Sequence, residues 1–243
     1  MTSHRIVRVS ILPFGMVNCH LIIGQHGCVV VDTGLPGSTT KIGKALTRHG
    51  LSFADIRLIV ITHAHVDHAG SGAELRELSG APIVAHRGDL CHYTQEKPMT
   101  FCATGWFGRL FLKTGLIRQP YVPFVPDILL DHDARLDLAP YGIEGVVSHT
   151  PGHTDGSISI ALAGNAAMVG DLIASGVLLG GLVRTGHAQR PPFEDDPRAT
   201  AAALQGLVDA GVEHFYMGHG GPLPAAEVIR HARALRTLPA RTA

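Results

Sequence analysis

The sequence predicts an α/β fold in which helices cover the outer faces of two β-sheets. Strand-like runs open the chain, and short apolar strands then alternate with helical patterns in both halves of the sequence. Hydrophobic residues make up 45% of the chain and charged residues 16%, which is the composition of a well-buried globular protein. With 243 residues, the chain is expected to form one domain, 1–243.

The predicted elements follow one another without a linker or a repeat. RIVRVSIL (5–12) alternates between polar and apolar residues, and NCHLIIG (18–24) leads through a glycine turn into CVVVDTG (28–34). A helix is expected from Ser38 to His49, followed by a short buried strand over 57–62. The later predicted elements are a helix over 70–79, strands over 81–86, 144–149, 157–162, 166–171 and 213–219, and helices over 195–210 and 224–238.

The segment 87–126 differs from the rest of the chain. It contains the only tryptophan, Trp106, together with Phe107 and several other aromatic, glycine and proline residues. We interpret it either as a helical excursion that packs over the core or as an aromatic lid over a site, and the two interpretations are compatible. Trp106 and Phe107 are therefore candidate substrate contacts.

Charge and hydropathy restrict the partners. Twenty basic residues balance 20 acidic residues, so a nucleic-acid partner has no overall basic excess to bind to. No apolar run approaches the length of a membrane span, the N-terminus lacks a secretory pattern, and the four cysteines form no CxxC pair. We expect a cytoplasmic protein that acts on a small molecule, with no nucleic-acid partner and no membrane partner. A homo-oligomer is compatible with the sequence.

The stretch THAHVDHAG (62–70) crowds three histidines and an aspartate behind a buried strand. His63 and His65 can reach one ion, because residues i and i+2 of an extended chain project to the same side. As the chain turns into a helix, Asp67 and His68 can point to a second position nearby. Imidazole nitrogens and carboxylate oxygens are ligands of zinc and also of iron and manganese. The stretch therefore predicts a divalent-metal site.

Three further ligand-type residues lie where strands are predicted to end. His153 lies in a Pro-Gly turn between two strands, Asp171 ends the strand AAMVGD, and His219 ends the strand EHFYMGH. An open α/β sheet places its sites where its strands emerge. His187, in the loop after Asp171, is a third candidate substrate contact. The Gly-rich stretch 176–186 is expected to form a wall of the site.

HAHVDH, PGH, GD and GH, in this order and with VVVDTG (29–34) before them, resemble the motifs of the metallo-β-lactamase superfamily over nearly the whole chain. The resemblance implies an αββα four-layer sandwich, with two mixed β-sheets and helices outside. Asp32 would steady the loops under the site, or it caps a turn. The resemblance also implies seven ligands for two divalent ions, most simply Zn²⁺ with Fe or Mn permitted: His63, His65 and His153 for the first ion, Asp67, His68 and His219 for the second, and Asp171 as the bridge.

This ligand set implies a dinuclear metal-dependent hydrolase. Bound zinc alone lowers the pKa of its water to about 7, so a metal-bridging hydroxide would attack a small ester, thioester or lactone carbonyl at neutral pH. Asp67 is placed to accept a proton from the water or to pass one to the leaving group. Asp67 and Asp171 are therefore the candidate catalytic residues.

Departures from particular branches of the superfamily narrow the activity. The β-lactamases proper are usually exported and do not use an aspartate at the position of Asp171, and glyoxalase II and persulfide dioxygenases carry a GCGR-type stretch where this chain reads GDLIASGVLLGG. Acyl-homoserine lactonases place a tyrosine where Ala174 stands. A generic small-molecule hydrolase is the leading interpretation. The alternatives are an iron-dependent oxidoreductase of the persulfide dioxygenase type, a quorum-quenching enzyme similar to acyl-homoserine lactonases, and a non-catalytic binding module.

Overall fold

Two six-stranded sheets form the centre of the protein in a computed structural model, which describes residues 4–180 and 183–238. The first sheet is mixed: its first three strands are antiparallel, and its third to sixth strands run parallel. In spatial order it contains β1 (Arg5–Leu12), β2 (Val17–Gly24), β3 (Gly27–Val31), β4 (Ile56–Val60), β5 (Ile83–His86) and β6 (Ile128–Leu130).

The second sheet is also mixed, with a single parallel pair among antiparallel neighbours. The second half of the chain supplies β7 (Arg135–Asp137), β8 (Gly145–His149), β9 (Ile158–Leu162), β10 (Ala166–Met168), the separate small hairpin β11 (Ala174–Ser175) and β12 (Ala188–Gln189), then β13 (His214–Tyr216) and β14 (Leu223–Pro224). The spatial order of the second sheet is β14-β13-β10-β9-β8-β7.

Helices cover the outer face of each sheet. Ile42 and Leu75 pack on the first sheet, whereas Leu204 and Val228 pack on the second. In chain order the helices are α1 (Thr39–Arg48), α2 (Val66–Ala69), α3 (Gly72–Ser79), α4 (Leu90–Tyr93), α5 (Trp106–Thr114), α6 (Val177–Gly180), α7 (Pro197–Asp209) and α8 (Ala225–Arg236).

The alternation of side chains along the strands separates three apolar layers. In β3, Val30 faces the helices, whereas Val29 and Val31 face the second sheet. In the second sheet, Met168 of β10 points to the layer between the sheets, and Phe215 of β13 points to α7 and α8. Because both faces of each sheet are covered, the central strands β3, β4 and β5 are mostly apolar, whereas the edge strand β1 alternates between polar and apolar residues. The predicted αββα sandwich with two mixed sheets is confirmed.

Two strands end earlier than the sequence predicts. β10 ends at Met168 and β13 at Tyr216, so Asp171 and His219 lie three residues beyond the strand ends. The chain turns out of the sheet at Gly170, which has a φ of +51°, a value that favours glycine. These turns bring the two polar side chains off the strands and towards the edge where β4 ends.

The predicted helix over 70–79 corresponds to α3, which begins at Gly72, and it is preceded by the separate short helix α2 over Val66–Ala69. The chain breaks at Gly70, where an added Cβ would lie 2.6 Å from the carbonyl oxygen of Gly34. Such a close approach of two backbones is possible only with glycine. α2 is therefore a single turn that carries Asp67 and His68 into the site.

The segment 87–126 is a partly helical excursion between β5 and β6, with irregular stretches between its helices. It contains α4, α5 and a 3-10 turn at Leu116–Arg118. Backbone hydrogen bonds join it to the second half of the chain, from Thr104 N–H to the Pro192 carbonyl and from Glu194 N–H to the Cys102 carbonyl. Within the described ranges, none of the helices is both long and apolar enough to cross a bilayer.

Candidate metal centre

The ends of four strands bring all seven predicted ligands together at one edge of the sandwich. His63, His65 and His153, the first ligand group, are buried and aim ring nitrogens at one point. His153 Nε2 lies 3.1 Å from His63 Nε2 and 3.1 Å from His65 Nδ1. His63 and His65 follow β4, and His153 lies in the turn between β8 and β9.

Asp67, His68 and His219 form a second ligand group beside the first. His219 Nε2 lies 3.4 Å from Asp67 Oδ2, and His68 Nε2 lies 3.9 Å from the same oxygen. The single turn of α2 places Asp67 and His68 next to each other, and the turn after β13 supplies His219.

Asp171 lies between the two groups. Its Oδ1 is 3.3 Å from His68 Nε2, and its Oδ2 is 2.9 Å from His219 Nε2 and 3.9 Å from His153 Nε2. One carboxylate therefore faces members of both groups, which is the position that a bridging ligand requires.

The donor set fits divalent cations. Four buried atoms of the seven ligands have no hydrogen-bond partner among the described residues: His68 Nε2, His153 Nδ1, Asp67 Oδ1 and Asp171 Oδ1. A neutral imidazole carries one N–H, so the Nε2 of His153 can share a proton with only one of the two nitrogens that face it. Buried polar groups are normally satisfied, and cations accept the lone pairs that this cluster leaves unmatched.

Asp32 holds the second group from below. Its Oδ2 accepts a hydrogen bond from His68 Nδ1 (2.8 Å), and its Oδ1 accepts from the N–H of Thr62 (2.8 Å). An Nδ1–H that donates to a carboxylate leaves the Nε2 lone pair free for a metal. The structure thus places Asp32 where the resemblance implies it, beneath the site.

Two further ligand histidines are oriented in the same way. His63 Nδ1 lies 3.0 Å from Thr62 Oγ1, whose own proton goes to Asp32, so the ring donates at this contact. His219 Nδ1 donates to the carbonyl oxygen of Met16. Both rings therefore present Nε2 to the cluster, as ligands whose tautomer is fixed by a partner do.

Asp89 holds the first group, and no sequence motif indicates it. This carboxylate is buried and accepts three hydrogen bonds of 2.9 Å each, from the N–H of Ala64, the hydroxyl of Thr154 and the N–H of Gly156. Ala64 lies between His63 and His65, and Thr154 follows His153. Asp89 therefore ties the two loops of the first group to each other.

The electrostatics of the cluster favour bound positive charge. Burial lowers the pKa of His153 to about 4, and burial with neighbouring imidazoles lowers the pKa of His63 and His65 well below its ordinary value. Burial also opposes protonation of His219, but the Asp171 carboxylate outweighs it and raises the pKa of His219 to about 9. The first group therefore offers neutral lone pairs, and the carboxylates next to it attract cations.

Aromatic rings line one side of the cluster. Phe101 lies 5.2 Å from His65, ring centre to ring centre, and Phe193 lies 5.1 Å from Phe101. Trp106 and Phe107 line a cavity of about 300 Å³ that Ala174, Val177 and Pro192 also line. The contact of either residue with a substrate stays a prediction.

His187 contacts Glu227 of α8 and not, among the described residues, any of the seven ligands. Its Nδ1 lies 2.8 Å from Glu227 Oε1 on α8, and its ring lines a separate cavity beside that helix. No contact in the described part of the chain supports its predicted substrate role. The predicted Gly-rich wall 176–186 is described only in part, since Gly181 and Leu182 lie outside the described residues.

Comparisons with known proteins agree with this centre. The family model described as "Metallo-beta-lactamase superfamily" matches residues 12–219. The chain is 29% identical over 180 residues to the probable metallo-hydrolase YqgX of Bacillus subtilis (strain 168), which covers 72% of this chain and 73% of that protein. It is 26% identical over 211 residues to the probable metallo-hydrolase YflN of the same strain, covering 82% and 77%.

Solved structures share the fold. The metallo-beta-lactamase family protein TTHA1429 from Thermus thermophilus superposes with a TM-score of 0.64 at 25% identity, over 95% of this chain and 78% of that chain. The BLEG-1 B3 metallo-beta-lactamase superposes with a TM-score of 0.68 at 21% identity, over 95% and 99%, which shows a common fold. Because the family model covers most of the chain and includes all seven converging side chains, the protein belongs to the metallo-beta-lactamase superfamily.

Proposed function

We propose that the protein holds two divalent cations, most simply zinc, and hydrolyses a small ester, thioester or lactone. The observation that carries this proposal is the position of Asp171: its Oδ1 faces His68 of the second group, and its Oδ2 lies between His219 of the second group and His153 of the first. The names of the relatives, probable metallo-hydrolases, agree with hydrolysis in general.

When bound, divalent cations supply Lewis acidity, which makes water more acidic and stabilises negative charge on a carbonyl oxygen. The side chains of this protein determine where the cations would bind. Asp171 would contribute to both metal positions, and Asp32 and Asp89 hold the loops that carry the other ligands. Because these partners are buried and ordered, the site needs little reorganisation during the reaction.

Asp67 is the residue best placed to move a proton. Its Oδ2 faces His219 and His68, whereas its Oδ1 is buried and has no hydrogen-bond partner among the described residues. A carboxylate with one free oxygen beside the nucleophile can accept a proton from water and return it to the leaving group. Phe101 and Phe193 limit the access of bulk water on the side of His65.

The substrate is expected to be a small molecule with an apolar acyl portion. The cavity bordered by Trp106 and Phe107 lies next to Ala174, three residues after Asp171, and has a volume of about 300 Å³. That volume is at the lower end of the range for small-molecule pockets. Its lining is mainly apolar and aromatic, with Thr104, Gln189 and Arg190 as its polar members, and the apolar part suits an acyl chain.

The decisive experiment combines metal analysis with an activity panel. Protein purified without added metal should contain about two divalent ions per chain and hydrolyse some esters, thioesters or lactones. Asp171→Ala should lose most of the metal and at least about 10²-fold in kcat/KM, because it removes the ligand that faces both groups. Asp133→Asn, at an exposed carboxylate, should keep both.

Three results would contradict the proposal. A fully active, metal-replete Asp171→Ala protein would exclude the bridging role. Iron together with oxygen consumption on a thiol substrate would favour the oxidoreductase. No turnover of the whole panel by metal-replete protein would favour a binding module.

A further inference from the structure

The outward-facing side of α5 exposes large apolar and cationic side chains together. We define the α5 outer face as Trp106, Arg109, Leu110 and Lys113. At 3.6 residues per turn, these four positions fall within roughly a third of the helix circumference. Trp106 is 70% exposed and Leu110 is 56% exposed, so the face presents two large apolar side chains to solvent side by side.

The opposite side of α5 contacts the rest of the protein through Gly108, which is buried, and Phe107 and Phe111, which are partly buried. An added Cβ at Gly108 would lie 2.2 Å from the carbonyl oxygen of Pro192, so the helix backbone touches that loop directly. Phe111 stacks against Phe193 with ring centres 6.0 Å apart, and Phe107 stacks against Phe111 at 5.9 Å. The helix therefore presents its outer face from a docked position.

The segment that carries the α5 outer face, residues 97–126, contains acidic or basic side chains of one sign. The 30 positions from Lys97 to Pro126 include Lys97, Arg109, Lys113 and Arg118 but no aspartate or glutamate, in a chain whose formal net charge is zero. All four cationic residues are exposed. Within the described ranges, the ion pairs of arginine with aspartate or glutamate lie elsewhere and involve neither Arg109 nor Lys113. The α5 outer face thus combines two exposed apolar side chains with two cationic side chains that form no ion pair with an acidic residue in the described part of the chain.

The α5 outer face fits an anionic bilayer better than it fits a second copy of the protein. A second copy that docks the same face across a two-fold axis would bring Arg109 and Lys113 next to their own copies, and like charges in contact repel. An anionic bilayer surface satisfies both properties, because tryptophan and leucine enter the headgroup region while arginine and lysine bind lipid phosphates.

We propose that the α5 outer face docks the protein on the surface of anionic phospholipid bilayers. Trp106 and Leu110 lie at the level of the lipid headgroups, and Arg109 and Lys113 contact their phosphates. This inference departs from the expectation that the protein has no membrane partner, which depended on the absence of a spanning segment. Surface docking needs no such segment. It does not depend on the proposed hydrolysis.

Trp106 is the only tryptophan, so the tryptophan fluorescence of the protein reports on the surroundings of this one side chain. We expect its emission to shift to the blue on addition of vesicles that contain phosphatidylglycerol and phosphatidylcholine, and the protein to sediment with them. Pure phosphatidylcholine vesicles should give much weaker binding, and added salt should weaken binding to the anionic vesicles. The same result is expected for protein with and without metal.

Charge reversal at two positions provides the matched test. Arg109→Glu with Lys113→Glu keeps the fluorescent reporter, and it should lower the partition coefficient by more than about 25-fold, since one cation near an anionic surface contributes on the order of fivefold. Lys44→Glu with Arg48→Glu makes the same charge change at the same spacing on the exposed side of α1, and it should bind like the unchanged protein. Leu110→Glu should remove the blue shift.

Several results would overturn the proposal. They are equal binding to neutral and anionic vesicles, no binding to either, or equal losses in the two double variants. A concentration-dependent blue shift with dimer formation in the absence of vesicles would assign the face to a second copy. A blue shift with an acidic polypeptide such as polyglutamate, but not with vesicles, would assign it to a protein partner. Circular dichroism of each variant excludes misfolding as the cause of a loss.

Discussion

Asp89→Asn tests whether this carboxylate organises the first ligand group. All three of its partners, Ala64 N–H, the Thr154 hydroxyl and Gly156 N–H, are donors, so a carboxylate can accept every bond and an amide cannot. The best orientation of the asparagine keeps its oxygen on Ala64 and Thr154 and turns its NH₂ group towards the N–H of Gly156. One charge-assisted bond is lost and two donors face each other.

The expected magnitude follows from these contacts. A hydrogen bond to a charged group contributes about 1.5–3 kcal/mol, so the free energy of unfolding should fall by about 2–4 kcal/mol once the donor–donor contact is included. Removing a partner that orients metal ligands typically lowers metal affinity about 10–100-fold. We expect this loss at the position held by His63, His65 and His153, and little change at the position held by the second ligand group.

Competitive titration with a chelator, together with the absorbance of cobalt-substituted protein, measures the two positions separately. Asp55→Asn is the matched control, because Asp55 accepts bonds from the N–H and hydroxyl of Ser52 in a remote 3-10 turn. It should leave both affinities unchanged. Wild-type affinity in a destabilised Asp89→Asn protein would reduce Asp89 to a folding role, and equal weakening at both positions would refute its link to the first group.

Gly218→Ala should cost one metal ion and at least about 10-fold in activity, because its Cβ would lie 2.3 Å from His68 Cε1 and 2.4 Å from Asp171 Oδ1. Gly206→Ala in α7, where a Cβ meets no described atom within 4 Å, should keep the metal content and the activity and raise the unfolding free energy by about 0.5–1 kcal/mol. Metal analysis and denaturation of the two variants test these expectations. Burial lowers the pKa of His231 from 6.5 to about 4, so the unfolded chain binds the proton first and stability falls as pH decreases between those values. At about pH 5 this group lowers the free energy of unfolding by about 2 kcal/mol. His231→Gln should avoid that loss in urea unfolding, and equal pH dependence of both proteins would contradict the assignment to His231. Chelation should lower Tm reversibly, by the equivalent of about 2.7 kcal/mol for each site held at 100 times its Kd, and an unchanged Tm would show that the fold does not bind metal.

The sequence predicts the convergence of the ligands better than it predicts the elements that carry them. Histidines and aspartates spaced two residues apart behind a buried strand have few other uses, so HAHVDH points to a metal site without any knowledge of the topology. The sequence predicts the ends of β10 and β13 three residues too late, because GD and GH continue an apolar run and local propensity does not register the turn. That turn depends on Gly170 and on contacts between distant segments.

Short elements and contacts between segments distant in sequence account for the features that the sequence does not predict. β6 and β7 have three residues each, too few for a periodic pattern to emerge. His187 is expected to border the site because it follows Asp171 along the chain, yet its ring pairs with Glu227 of a helix from the C-terminal part of the sequence. Proximity in sequence does not determine which side of a loop a side chain faces.

The order of parallel strands explains why two buried aspartates flank the ligand loop. β3, β4 and β5 are neighbours and run parallel, so their carboxyl ends meet at one edge. Asp32 follows β3, the HAHVDH loop follows β4, and Asp89 follows β5. Each aspartate accepts an N–H from the loop between them, Asp32 from Thr62 and Asp89 from Ala64. The aspartate after β3 then orients a ligand of the second group, and the aspartate after β5 reaches the turn that carries a ligand of the first. The loop is thus held from both sides by neighbouring strands. Loss of Asp89 should therefore disturb the first ligand group, whereas loss of Asp32 should disturb His68 directly and His63 through Thr62.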